Sequence, residues 1–412
     1  MSLTASRARS TAREWVRRTL RPDDPVARAL TWSTMSSALS KGVFFSVSVL
    51  FFTRVAGFTA TTVGLGLTIA GAVAVGASLG AGYLARAVGA RRVLLATTAG
   101  QGLALLAYLA VSTPAAFVAV ACAAVSQQAM QRTALTTMIA ECFTGPERVE
   151  VRARLRVVMN CFIGLGTALA ALALAIGTRP AYLLAMASTA ALLLVSALSL
   201  RRIVTPVRLD PPPAEHPRRS PLRDRTYLAA TALNAVMTMQ FGMLTVGVPL
   251  WVAGRTTAPP VTVAALLALN TVIVSLLQVW AARGARDLPA AGRSVARAGT
   301  LLALACGLYA AAAMGTVAVV VALLALATAA HSLAEVLSEG GSWTLAFELA
   351  DPDNAGAYQG VSQTGAALGS MLAPLVVTAT AIDHGRAGWA VLAVLFLAAG
   401  LSTPRLIRRR SR

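Results

Sequence analysis

The chain has 412 residues, 57% of them hydrophobic and 13% charged, with a formal net charge of +20 from 36 basic and 16 acidic side chains. Soluble domains typically carry ~25% charged residues, so a mean hydropathy of +0.69 on so few charges excludes an ordinary cytosolic enzyme. A nucleic-acid-binding domain, the first thought for so basic a chain, is set aside because the arginines sit between apolar runs; at ~20 apolar residues per membrane span the composition leaves room for about a dozen helices and short loops.

Residues 1–28 hold seven arginines and lack a short apolar core followed by a small-residue cleavage site, which predicts a retained basic tail on the cytoplasmic side. Spans are expected at roughly 29–53, 61–85, 93–112, 114–140, 155–177 and 180–200, and a second set at 227–253, 260–282, 296–314, 316–341, 357–380 and 387–404. Between the sets, 201–226 contains a proline triplet and seven arginines that forbid a bilayer location. The expected organisation is a six-helix bundle at 29–200, a cytoplasmic linker at 201–226, a second six-helix bundle at 227–404 and a basic tail at 405–412. Cys122, Cys142, Cys161 and Cys306 lie in or beside apolar stretches with neither zinc-ligand spacing nor a paired framework, and read as buried free thiols.

Positive residues are retained on the cytoplasmic side during insertion. Of the 36 Lys and Arg, four occupy the odd-numbered loops (Arg54, Arg179, Arg255, Arg386), Lys41 and Arg132 lie inside spans, and all others fall in the tails and even-numbered loops. An even number of spans with both termini in the cytoplasm follows. The halves also resemble each other at corresponding places: the fourth span ends MIAECFTGPER and the tenth TLAFELADPDN, each placing an acid, then Pro146 or Pro352, then another acid where the helix must stop.

Six plus six spans, inward termini and a basic central loop resemble the major facilitator superfamily of secondary transporters over nearly the whole chain. The family's pattern after the second span is G-x-L-A-D-R-x-G-R-R, and here Gly82, Leu84, Ala85, Gly89 and Arg91 match, with Arg92 following. Arg86 stands in place of the acid and Ala87 in place of the next arginine, so the latch that this gating loop forms with neighbouring helices in the family is not assembled in its usual form. Gly247-Val-Pro249-Leu-Trp251 and the stretch 331–350 are similar to a group of bacterial, actinomycete-type exporters. The resemblance implies an all-α membrane protein with twelve transmembrane helices in two six-helix pseudo-repeats, set in the bacterial inner membrane. The antiporter-type GxxxGPxxG pattern survives only as Gly164-Leu-Gly166, echoed by Gly365 and Gly369 before Pro374, which reads first as small-residue helix packing.

A charge at the bilayer centre costs ~2.5–3.5 kcal/mol on insertion scales, so each ionisable residue within a span is a functional candidate. Lys41, near the middle of the first span, either faces a wet cavity or a carboxylate, or reaches toward Ser37 and Ser40; an amine there suits an anionic group on a substrate. Gln128, Gln131 and Arg132 form a polar stripe on the fourth span that either lines the cavity or bonds neighbouring helices. His331, Glu335 and Glu339 fall at i, i+4 and i+8 on the tenth span. A carboxyl at low dielectric can be loaded and unloaded by a proton gradient, and Glu335 is the deepest acid. Glu339 lies nearer the cytoplasm, and His331 is a proton relay or a structural histidine. Asn160 and Asn234 are the preferred uncharged substrate contacts, and Trp32, Trp251, Trp280 and Trp343 offer stacking surface or interfacial anchors. Pro249 is expected to bend the seventh helix.

The sequence thus points to proton-coupled efflux of a small amphipathic organic compound, such as a drug or natural product, by alternating access. A proton-coupled importer of a nutrient or peptide, and a sensor or interaction protein that does not transport, are the alternatives. An enzyme is not expected, since neither a nucleotide-binding loop nor clustered metal ligands occur in the sequence. The expected partners are a small-molecule substrate, protons and the lipid bilayer, without nucleic acid, cofactor or metal, and the expected state is a monomer.

Overall fold

The computed structural model describes residues 22–201 and 220–410, so the outer part of the predicted N-terminal tail, most of the linker and the last two residues lie outside the described residues. Among the described residues there is no strand. Helical rods follow in chain order: α1 (25–55), α2 (Ala60–Val88), α3 (Ala90–Ala110), α4 (Pro114–Cys142), α5 (Pro146–Ile176), α6 (Arg179–Arg201), α7 (Arg225–Arg255), α8 (Val261–Gly284), α9 (Leu288–Ala311), α10 (Val317–Glu348), α11 (Pro352–Ile382) and α12 (Gly385–Arg410). Each of the twelve predicted spans falls on one rod. Ten rods are long and apolar enough to cross a membrane; the other two, α1 and α4, carry Lys41 and Arg132.

Local chemistry sets the helix ends. Asp24, Asp224 and Asp287 each accept a backbone N–H three residues on, at 2.6, 3.0 and 2.7 Å, capping α1, α7 and α9. Pro146 and Pro352 begin α5 and α11, where a fixed φ and a missing N–H cost nothing. The α2–α3 turn needs Gly89, whose φ of +92° is strained for any residue with a Cβ. α5 and α9 start well before the predicted 155 and 296. Residues 146–154 hold Arg148, Arg152 and Arg154, and the start of α9 holds Arg293 and Arg297; arginine is a good helix former, so hydropathy marks where the apolar stretch begins and not where the helix does. In α7 a five-residue π turn, Met243–Gly247, directly precedes Val248–Pro249, and the Val248 N–H donates to the Met243 carbonyl.

The chain divides into two compact units, one of 1–142 with 154–215 and one of 143–153 with 216–412. Within the first unit α1 packs on α6, α2 on α4, and α3 on both α4 and α6. Within the second, α7 packs on α12, α8 on α10, and α9 on both α10 and α12. The same pairings recur six helices later in the same order, as parallel repeats require. Residues 143–153, which open α5, belong to the second unit: Glu150 Oε1 accepts from Arg283 Nε at 3.3 Å, and the Arg152 guanidinium lies 4.9 Å from the Trp343 ring centre.

Helices approach most closely where glycine removes the side chain. A Cβ on Gly166 of α5 would stand 3.1 Å from Gly42 Cα and against the Leu39 carbonyl of α1. The equivalent α11–α7 contact sets Gly365 on Thr231 and Gly369 on Ala235. Small residues let backbones meet where lipid gives no hydrophobic drive for helices to associate. Gly166→Val and Gly369→Val are each expected to cost ~1–3 kcal/mol by overpacking, read as a lowered unfolding temperature of the purified protein in detergent. Gly164→Val, with nothing within 4 Å of its Cβ, is expected to leave that temperature unchanged.

Candidate functional site

The first unit concentrates cations inside its spans. The Gly42–Gly166 crossing sets α1 against α5 next to Lys41, and Lys41 lies within electrostatic reach of Arg132 on α4 and Arg156 on α5. Lys41 and Arg156 are half-buried. Arg132 is exposed although it lies ten residues from the end of α4, between buried Gln131 and Thr133. The three cations come from three helices and lie within one another's field, and a charge within a span is costly unless it reaches a polar environment. Among the described residues, neither the Lys41 amine nor the Arg132 guanidinium has a hydrogen-bond or ion-pair partner. The sequence contains no Asp or Glu between Asp24 and Glu141, or between Glu150 and Asp210. The interior of this unit therefore offers positive charge without a resident carboxylate in its spans.

The polar stripe predicted on α4 divides between two faces. Gln131 is buried, and its Nε2 donates to Thr98 Oγ1 of α3 at 2.7 Å, so it bonds neighbouring helices. Gln128 is half-buried and four residues from Arg132, on the same line of the helix. Asn160 is half-buried, one turn beyond Arg156 on α5. Arg156 stands at the very start of the expected span 155–177, and the charge count of the sequence assigns it to the preceding loop. The usable signal was its spacing: Arg152, Arg156 and Asn160 recur every four residues along one helix face.

The second unit holds the carboxylate. Glu335 is 4% exposed, and Asn270 of α8 donates from Nδ2 to both Glu335 Oε2 and Ser332 Oγ, at 3.0 Å each. A buried carboxylate is tolerated when it accepts hydrogen bonds, and Asn270 supplies one. His331 is fully buried, with its ring edge-on to Tyr309 at 6.4 Å, and among the described residues neither ring nitrogen has a hydrogen-bond partner. Glu339 is half-buried, one turn further along the same face. Asn234 of α7 lines a cavity of about 20 Å³ with Tyr227, Ser342 and Ser362, room for about one water.

In the loop after α2, Gly82 is buried while Arg86 and Arg92 are exposed. Arg91 donates to the Arg201 and Leu200 carbonyls at 2.7 and 3.5 Å, so the loop is tied to the end of α6 within its own unit. A cation at a helix C-terminus satisfies carbonyls that the helix leaves open. Trp32 and Trp280 are exposed, as anchors or stacking surfaces would be. Trp251 is buried instead: Nε1 donates to the Tyr309 carbonyl at 2.8 Å and the ring meets Trp389 edge-on at 5.7 Å, because the inner face of α7 packs into the core of its unit. Trp343 is also buried, beneath the Arg152 guanidinium. Among the described residues no group of three or more His, Cys, Asp or Glu side chains stands together as a metal site would require.

Comparison with known proteins places this geometry among transporters. The family model described as Major Facilitator Superfamily matches residues 30–374. No curated protein matches. Among solved structures, the human organic anion transporter MFSD10 (TETRAN) is similar over 93% of this chain and 99% of its own, with a TM-score of 0.66 and 17% identity. A bacterial homologue of the iron transporter ferroportin, in its outward-facing state, covers 94% and 100% with a TM-score of 0.72 and 12% identity. The proton:xylose symporter XylE covers 92% and 94% with a TM-score of 0.66 and 12% identity. Likenesses at these identities concern the fold.

Proposed function

We propose, from the premise that this chain belongs to the major facilitator superfamily, that it exports small amphipathic organic anions in exchange for protons. The observation that carries the reading is the presence of Lys41 and Arg132 well inside their helices, each without a hydrogen-bond or ion-pair partner among the described residues, in a sequence with no Asp or Glu at 25–140 or 151–209. Cations that cost this much to insert are retained where they meet a mobile negative charge, and the substrate supplies it. The name of the human organic anion transporter describes a cargo of the same sign. Its likeness supports the scaffold, and the charge argument rests on Lys41 and Arg132.

Glu335 is the proton carrier in this scheme. Its carboxyl is screened from bulk water and tied to Asn270, an uncharged partner that bonds either protonation state without leaving a stranded charge.

Proteoliposomes under an imposed pH gradient test the proposal with matched pairs of compounds, an aryl carboxylate or sulfonate against its neutral ester. The expected result is movement of the anion opposite to the proton, with the neutral partner at least about tenfold slower, the ratio set by one charged contact. Equal rates for the two partners would sink the anion assignment. Anion and proton moving in the same direction would convert the exporter into an importer, and no movement of either would favour the sensor reading.

A further inference from the structure

The second unit has a surface groove of about 670 Å³ where α9 begins and α12 ends. Its walls are almost wholly apolar, from residues that include Pro289, Pro404 and Ile407, and its polar side chains are Arg293, Arg297 and Arg408. Beside the groove Gly292 lets α12 come close: a Cβ there would stand 2.7 Å from Ile407 Cδ1 and 3.3 Å from Pro404 Cα. Its volume lies in the range of roughly 300–1,000 Å³ common to small-ligand pockets.

Arg293 and Arg297 are four apart and so project from one face of α9, and Arg408 reaches the same groove from α12. All three are exposed. Among the described residues neither Arg293 nor Arg297 has a hydrogen-bond or ion-pair partner. The nearest acid in sequence, Asp287, is occupied in capping α9 through the Ala290 N–H. Guanidinium forks match phosphate oxygens in pairs, while apolar walls without a polar side chain besides the arginines suit hydrocarbon and not a soluble ion. Basic pockets between helices at the membrane surface take anionic lipid headgroups.

We propose that this groove is a binding site for one anionic phospholipid, its phosphate held by Arg293, Arg297 and Arg408 and an acyl chain laid along Pro289, Pro404 and Ile407. The site lies within the second unit, apart from both Lys41 and Glu335, and is independent of the transport reading. A lipid held there bridges α9 and α12, which pack on each other, and so stiffens that pair.

The test uses the full-length protein in nanodiscs of phosphatidylcholine with increasing phosphatidylglycerol, read by native mass spectrometry for retained lipid and by unfolding temperature. Wild type is expected to retain phosphatidylglycerol over phosphatidylcholine and to melt higher with it. Arg293→Gln with Arg297→Gln is expected to weaken that retention about thirtyfold, from the loss of two surface cations, while melting as wild type does in pure phosphatidylcholine. Ala296→Trp fills the groove with all arginines intact and is expected to release the lipid as well. Arg179→Gln, an exposed arginine of the other unit, serves as control and is expected to change nothing. Undiminished phosphatidylglycerol retention in the double variant, equal retention of phosphatidylcholine, or the same stabilisation by inorganic phosphate alone would each overturn the proposal.

Discussion

Replacing Arg132 or Lys41 with glutamine lowers the apparent affinity for an organic anion by roughly ten- to a hundredfold each, the worth of one hydrogen bond to a charged group in a partly desolvated site. The measurement is concentration-dependent uptake into proteoliposomes, where the loss falls in KM for the anion and leaves the neutral ester unaffected. The charges act on one ligand, so the double variant loses less than the product of the two single effects. Arg132→Lys recovers part of the affinity, because charge returns without the planar fork. Both variants are expected to fold at least as readily as wild type. Lys41 and Arg132 make no hydrogen bond or ion pair among the described residues, and removing a charge from a span relieves an insertion cost. Unchanged KM in both variants would show that these cations serve the structure instead.

Glu335→Gln abolishes proton-driven accumulation, bringing it to the level of empty liposomes, while anion exchange across the same membrane persists. Glutamine keeps an oxygen for the Asn270 N–H, so the α8–α10 contact seen at 3.0 Å survives and folding is preserved. What it cannot do is gain or lose a proton in the physiological range. Transport by wild type is expected to depend on pH, and transport by the variant is expected to be flat. Concentrative, pH-dependent transport by Glu335→Gln would remove Glu335 from the proton path. Glu339, half-buried on the same face, would become the next acid to test. Separating exchange from accumulation matters because a variant that fails at both has lost its fold or its substrate site.

The twelve rods were legible in the sequence because transfer of a helix into lipid is decided locally, by the apolar sum over about 20 residues. The errors have the same origin. α5 and α9 start earlier than hydropathy suggested, since arginine favours the helix while opposing the bilayer, and a hydropathy window reads only the second preference. The proline punctuation at Pro146 and Pro352 was equally local and marked the right junctions. Trp251 was harder: a tryptophan near a span end reads as an anchor, and only the packing of α7 against its neighbours shows its N–H turned inward to the Tyr309 carbonyl.

The candidate sites divide along the same line. That Lys41, Arg132 and Glu335 lie deep within spans, and that His331, Glu335 and Glu339 share a helix face, followed from spacing and the cost of burying charge. That Arg156 joins Lys41 and Arg132, that Gln131 turns away to Thr98, and that Asn270 reaches Glu335 across 65 positions of chain required the tertiary structure. One helix's periodicity fixes which residues share a face and says nothing about what that face meets. Here the meeting is set by glycine contacts such as Gly42 with Gly166, where the absence of a side chain lets two backbones touch and brings distant residues within each other's field.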